Sequence, residues 1–329
     1  MPCYQEYSLL VKRMVVEFRH SLIIAIFALK TNELKMDLSK LKRRPAYPFE
    51  TIAVAVSFSP SCLPILLEAK RLADVCGASL LLLHIGEKSA EKDQELDDLL
   101  AKAKINPNHS RVIWMEGDPV DTILRLCKLN IVDLLVLGAL EKENLLKFYI
   151  GSIARNISRK AKCSVLLLTN ASVRLHKFKK FIVNGVENPK TIHTINTALY
   201  LAKLLNVKDV TIVNEVHLPG LAMAIADDST APETKEFKKH ITEDYEEDLQ
   251  SLIDKCDAGD IKVTDKIIKG KPGYAISKYA NDKKADLLVI NSPDTHLNVF
   301  DRIFTHDIEF ILADLPCNVL IVHSRVSAD

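Results

Sequence analysis

The feature that most constrains this chain is an ordered internal repeat. Asp133-Leu-Leu-Val recurs as Asp286-Leu-Leu-Val, and Gly117-x-Pro119…Ile123 recurs as Gly270-x-Pro272…Ile276, both at a shift of 153 residues. Cys163-x-Val-Leu recurs as Cys317-x-Val-Leu at a shift of 154, so one residue was added between the markers. Val56-Ser57 aligns with Val186-Glu187 at a shift of 130, which gives the second copy 23 extra residues before its third strand. A chain of 329 residues has length for about two domains. The repeat says that they are two copies of one unit.

Each copy alternates short apolar runs with helical patterns. In the first, strands are expected at 51–56, 78–85, 111–115, 134–137 and 164–169. Leu134 to Leu137 is uniformly apolar, as in a parallel strand buried on both faces. Ile65, Leu66, Ala69, Leu72 and Ala73 give a helical stripe, and so do Ile150, Ile153, Ala154, Ile157 and Ala161. An acidic helix is expected over 91–105. Asp118 is a suitable N-cap, with Pro119 as first helical residue of the next one. A polar loop is expected between Gly138 and Ile150. The second copy repeats the order, with strands at 181–186, 209–216, 262–268, 286–290 and 318–322. Its helices are expected along Ile192–Ala202, near 243–252, from 274 to 280 and from 306 to 315. Strands alternating with helices predict an α/β fold with parallel sheets and helices on both faces. The expected boundaries are an N-terminal extension at 1–46, a first domain at 47–170, a linker at 171–180 and a second domain at 181–329.

The formal net charge of +1 argues against a dedicated nucleic-acid binder. The basic clusters Lys40, Lys42, Arg43, Arg44 and Arg174, Lys177, Lys179, Lys180 each precede a first strand and read as solvated linker. Seven cysteines form no CxxC pair and no Cys/His ligand spacing. They read as small core residues of a reduced, cytoplasmic protein without a metal site. Residues 21–29 are apolar but far shorter than the ~20 residues of a membrane helix, so no membrane partner is expected. Met36 is a candidate start, giving a short basic lead into the first strand.

These residues resemble the universal stress protein family in its tandem two-domain form. Members carry a strand ending in Val-Asp-x-Ser, a later Gly-x-Pro before a helix, and a G-x2-G-x9-G-[ST] loop before the last helix. Here that loop reads Gly138-x2-Glu141-x9-Gly151-Ser152, and the terminal strands carry Cys-x-Val-Leu. The resemblance covers 51–169 and 181–324. It implies two tandem open five-stranded sheets of order 3-2-1-4-5, Rossmann-like and similar to adenine nucleotide alpha hydrolases. It also implies a ligand cleft where the strand order reverses. In ATP-binding members the strand-one Asp serves the adenosine part and the glycine motif wraps the phosphates, since a Cβ blocks backbone approach.

The candidate nucleotide site in the first domain is therefore Ser57, Gly138, Gly151 and Ser152, for ATP with Mg²⁺. Ser57 stands where the Asp is expected, and Glu141 replaces the second glycine. A carboxylate turned towards phosphate 4 Å away costs about 1 kcal/mol in water and about 4 kcal/mol at an effective dielectric of 20. The second domain keeps an acid at Glu187, but its loop positions are Asn291, Asp294, Thr305 and His306, with every glycine gone. It reads as a degenerate second site that takes no ATP. His306 and Asp307 read as the cap of the last helix, and His84 as a partly buried structural histidine.

No general base, metal-ligand set or oxyanion device stands out, so the reading is a non-enzymatic stress-response or regulatory protein. Two alternatives stay open: a weak ATP-hydrolysing enzyme using the first cleft, and a scaffold with decayed sites. Expected partners are an adenine nucleotide and other proteins. Residues 164–169 and 318–322 are expected side by side, making a pseudo-dimer within the chain, and a homodimer is the other assembly considered.

Overall fold

The structure is a computed structural model that describes residues 46–141, 148–169, 171–174, 176–216, 247, 249–293 and 305–324. The expectations for 21–29, for the cluster at 40–44 and for Met36 lie outside the described residues, as does Asp294.

The first half runs β1 (Thr51–Ala55), α1 (Cys62–Cys76), β2 (Ser79–Ile85), α2 (Ala90–Ala103), β3 (Ser110–Met115), α3 (Pro119–Leu129) and β4 (Leu134–Gly138). Two short strands follow, β5 (Leu140–Glu141) and β6 (Phe148–Tyr149), then α4 (Ser152–Lys160) and β7 (Ser164–Leu168). β5 and β6 pair antiparallel inside what the sequence presents as a plain polar loop. The second half runs β8 (Lys180–Asn184), α5 (Thr191–Leu205), β9 (Asp209–Val216), β10 (Lys262–Lys269), α6 (Tyr274–Asp282), β11 (Leu287–Asn291), α7 (Thr305–Ala313) and β12 (Asn318–Val322). Residues 249–254 are also helical.

Local chemistry explains the helix ends. α1 stops at Gly77, whose φ of 64° is the left-handed conformation that glycine adopts without steric cost. Ser89 caps α2 by accepting from the Lys92 N–H at 3.2 Å. Asp118 caps α3 by accepting from the Asp121 N–H at 2.9 Å, with Pro119 first in the helix, as its sequence suggests.

Each half has the strand order 3-2-1-4-5. The halves do not form two separate sheets, however. They join into one ten-stranded sheet of order β10-β9-β8-β11-β12-β7-β4-β1-β2-β3. Every pairing in it is parallel except β12 with β7, which is antiparallel with Leu320 opposite Leu166. The joint covers the last-strand edge of both halves, so neither strand is left to recruit another chain there.

Side chains alternate across this sheet. Ile52 and Val54 face one core with α1, α2 and α5, while Ala53, Leu135 and Leu167 face a second core with α3, α4, α6 and α7. Both cores run through both halves. The segment expected as solvated linker is partly structured: β8 already includes Lys180, and Phe178 is buried with the Arg71 guanidinium 4.9 Å over its ring.

The repeated Asp133 and Asp286 have a structural duty. Asp133 Oδ2 accepts from the N–H groups of Glu50 and Thr51, each at 2.8 Å. Asp286 Oδ2 accepts from Lys179 and Lys180 at 2.8 and 2.9 Å. Each carboxylate, at the start of its half's fourth strand, ties down the entry of its first.

Candidate functional site

In a parallel sheet the helices return antiparallel to the strands, so helix N-termini gather at the strands' carboxyl ends. The register Val54↔Val136 puts the end of β1 beside the end of β4. Ser57 and Gly138 thus flank the point where the strand order reverses, and α4 opens at the same edge with Gly151 and Ser152. The structure brings the four first-half residues to one end of one sheet.

Their local states differ. Ser57 is exposed, with its hydroxyl 3.2 Å from that of Ser59, which lies 3.1 Å from that of Ser61. Ser61 precedes α1 and makes no side-chain cap. Gly151 is the N-cap of α4 at φ −64° and ψ 163°, again without a side-chain cap, and its carbonyl accepts from the Arg155 N–H at 2.9 Å. The leading N–H groups of α4 therefore have no side-chain acceptor at the N-cap, and the helix dipole adds positive potential there.

Gly138 has a different explanation. A Cβ built on it would run into Ile65 Cδ1 of α1. The space of its missing side chain is taken by helix packing, so the residue has a packing role independent of any ligand. The backbone of Glu141 is in β5, and its side chain lies outside the described residues.

His84 is the neighbour whose part in the site is not visible in the sequence. It is buried on β2, and its Nδ1 lies 3.0 Å from the Val56 carbonyl. That carbonyl can only accept, so Nδ1 donates, and Nε2 is buried without a hydrogen-bond partner among the described residues. Phe58 and Trp114 pack on the ring at 4.8 and 4.5 Å. His84 thus pins the end of β1 just before Ser57, which fits the structural role expected of it.

The second half closes the corresponding edge with its own side chains. Asn291 stands at the Gly138 position. Its Nδ2 donates to Thr191 Oγ1 at 3.0 Å, and its Oδ1 accepts from the Thr194 hydroxyl, stitching β11 to the first turn of α5. The Thr191 hydroxyl donates to the Val186 carbonyl at 2.5 Å. The N-terminus of α6 is occupied by the Glu215 carboxylate, which accepts from Gly273 and Ile276 at 2.9 and 2.8 Å. Glu187 is exposed at the edge. Burial, and then the Lys162 ammonium of the first half, lower the pKa of Lys190. Burial lowers that of His193. Thr305 and His306 open α7, so His306 and Asp307 lie in its first turn rather than ahead of it; their side chains lie outside the described residues.

Among the described residues, no group of three or more His, Cys, Asp or Glu is placed to hold a metal ion. No described helix is long and apolar enough to cross a membrane.

A sequence model of the universal stress protein family matches residues 86–169 and 182–323. No curated protein sequence matches the chain. Among solved structures, a protein of unknown function from Pseudomonas aeruginosa PAO1 is 16% identical with a TM-score of 0.57, covering 86% of this chain and 94% of its own. A universal stress protein from Archaeoglobus fulgidus DSM 4304 is 15% identical with a TM-score of 0.55, covering 84% of this chain and 99% of its own. A universal stress protein from Archaeoglobus fulgidus in complex with dAMP is 21% identical, covering 36% of this chain and 97% of its own, with a TM-score of 0.28.

Proposed function

Because the chain belongs to the universal stress protein family, we propose that it is a tandem, non-enzymatic stress-response or regulatory protein that takes an adenine nucleotide, ATP with Mg²⁺, in its first half only. The observation that carries this reading is the contrast between the two edges. Gly138 brings no polar side chain to the end of β4, whereas Asn291, at the matching end of β11, is committed to hydrogen bonds with Thr191 and Thr194 of α5. In the first half, the N–H groups of the first turn of α4 would meet the phosphates, with the Ser152 hydroxyl as a further donor. Ser57 would offer the sugar a neutral hydroxyl where family members offer a carboxylate. Gly138 would contribute backbone at the end of β4, its side-chain space being taken by Ile65.

The same reading takes 47–170 and 181–329 as the two domains and treats them as an intramolecular pseudo-dimer, supported by the β7–β12 pairing. It places the protein in the cytoplasm, supported by six described cysteines that are all free thiols.

Gly151→Asp tests the site without harming the helix. Asp is a favourable N-cap, and φ −64° suits any residue. Its carboxylate would occupy the helix end and repel phosphate. Calorimetry of the full chain with ATP and Mg²⁺ is expected to give one site, lost in the variant. Two sites, or equal binding in the variant, would overturn the reading. Hydrolysis by the native chain above the variant's level would support the enzyme alternative instead.

A further inference from the structure

The seam between the halves combines a symmetric backbone with asymmetric charge. Positions 154 apart are equivalent in this region: Ser164 with Asn318, Thr169 with His323, and Arg155 with Glu309. The backbone contacts follow that symmetry, because β7 and β12 pair antiparallel through Val165–Leu167 and Val319–Ile321. The side chains above them do not. Arg159 Nε donates to Glu309 Oε1 at 2.7 Å, and its Nη2 lies 2.7 Å from Oε2, a bidentate pair. Arg155 reaches Glu309 Oε2 and the Leu312 carbonyl, each at 3.4 Å. The hydrogen bond to Glu309 raises the pKa of Arg159. The residue equivalent to Arg159 in the second half is Ala313, so the cluster has two cations on α4 facing one carboxylate on α7.

We infer that this edge reads its partner: α4 with β7 is built to accept an edge of the second-half type, carrying an acid at position 309, and to reject a second copy of itself. Two first halves joined through the same strand would bring four guanidinium groups together with no carboxylate from position 309. Two second halves would bring Glu309 to Glu309 without either arginine. Strand hydrogen bonds and apolar cores fit any of the three combinations, since they are nearly symmetric. Only the mixed combination satisfies the charges, and like charges set against each other are a standard means of excluding a wrong partner. The inference stands apart from nucleotide binding, because the Arg155 and Arg159 side chains reach across the seam to α7 of the second half.

The test uses the full chain and hydrogen exchange read by mass spectrometry on the amides of 164–168 and 318–322, with the β1–β2 amides as internal reference. Glu309→Arg places three cations at the seam. It is expected to raise exchange there at least tenfold over the reference. The reversed-charge variant, Arg155→Glu with Arg159→Glu and Glu309→Arg, restores opposite charges and is expected to return to within threefold of the native chain. Glu309→Gln, which removes charge but keeps volume, is expected to fall between. Native-like exchange in Glu309→Arg would overturn the inference. If that variant does not fold, the reversed-charge chain decides: protected seam amides support charge reading, and a seam as open as in the single variant, or a chain that also fails to fold, refutes it.

Discussion

Ser164 and Asn318 occupy equivalent positions, and each accepts a hydrogen bond from the far end of the other's strand. The Thr169 N–H donates to Asn318 Oδ1 at 2.9 Å, and the His323 N–H donates to Ser164 Oγ at 3.2 Å. The two halves are thus clasped at both ends of the β7–β12 pair by residues a sequence reader sees only as the first letters of two strands.

The clasp predicts unequal losses. Asn318 also donates from Nδ2 to the Asp286 carbonyl at 2.9 Å. Asn318→Ala removes an acceptor and a donor at a partly buried site and is expected to lower stability by about 1–3 kcal/mol. Ser164→Ala removes one longer bond and is expected to cost about 0.5–1.5 kcal/mol. Urea denaturation of both variants measures this, and equal losses would contradict it.

Gly138 gives a prediction that separates packing from ligand binding. Gly138→Ala sets a Cβ against Ile65 Cδ1, and moving a buried side chain aside costs about 1–3 kcal/mol. Ile65→Val removes that terminal methyl, so the double variant is expected to be more stable than the sum of the two single losses. Thermal unfolding of the four proteins gives the coupling, and strict additivity would show that Ile65 does not impose the glycine.

Asp133 is buried and accepts from two backbone N–H groups. Asp133→Ala takes a buried acceptor from two part-buried N–H groups and is expected to cost about 1–3 kcal/mol. Asp286→Ala strips the matching pair from Lys179 and Lys180 at a more exposed site and is expected to cost less. Denaturation midpoints that rank the two the other way round would count against this account.

Cys317 predicts an alkaline effect. Burial pushes its thiol up to about 12 from an ordinary value of 9.0. The unfolded chain releases this proton near pH 9 while the folded chain holds it, so the unfolded state binds fewer protons and stability falls as pH rises. The contribution is intact below pH 9 and is lost between pH 9 and about 12. Its slope is about 1.4 kcal/mol per pH unit at most. Cys317→Ala is expected to flatten the stability curve over that range and leave its slope at pH 7 unchanged. Chemical denaturation at several pH values checks this.

These contacts also show what could be read from the sequence. The α/β class and the repeat follow from period and spacing, which are local signals, while the strand order is legible only through the family resemblance. Asp133 and Asp286 are legible as repeat markers. Their duty is not, because the N–H groups that Asp133 serves lie 82 and 83 residues upstream. Gly138 fits a ligand motif by spacing, yet the atom that takes up its side-chain space belongs to a helix two strands earlier in the chain. Lys180 reads as linker because charge suggests solvent, while its backbone is already committed to β8. The opposition of Arg159 and Glu309 spans 150 residues and needs the antiparallel seam before it means anything. Ser57, Gly151 and Ser152 were found through family spacing, and their meeting at one edge follows from the rule for parallel sheets.

The joint in the sheet also has a consequence in time. The Thr169 N–H must wait for Asn318, 149 residues further along the chain. At ribosomal speeds of about 5–20 residues per second, β7 leaves synthesis roughly 7–30 s before its neighbour exists. For that interval the growing chain carries an apolar strand with one open side, and the charge reading proposed above would set Arg155 and Arg159 of two nascent chains against each other there.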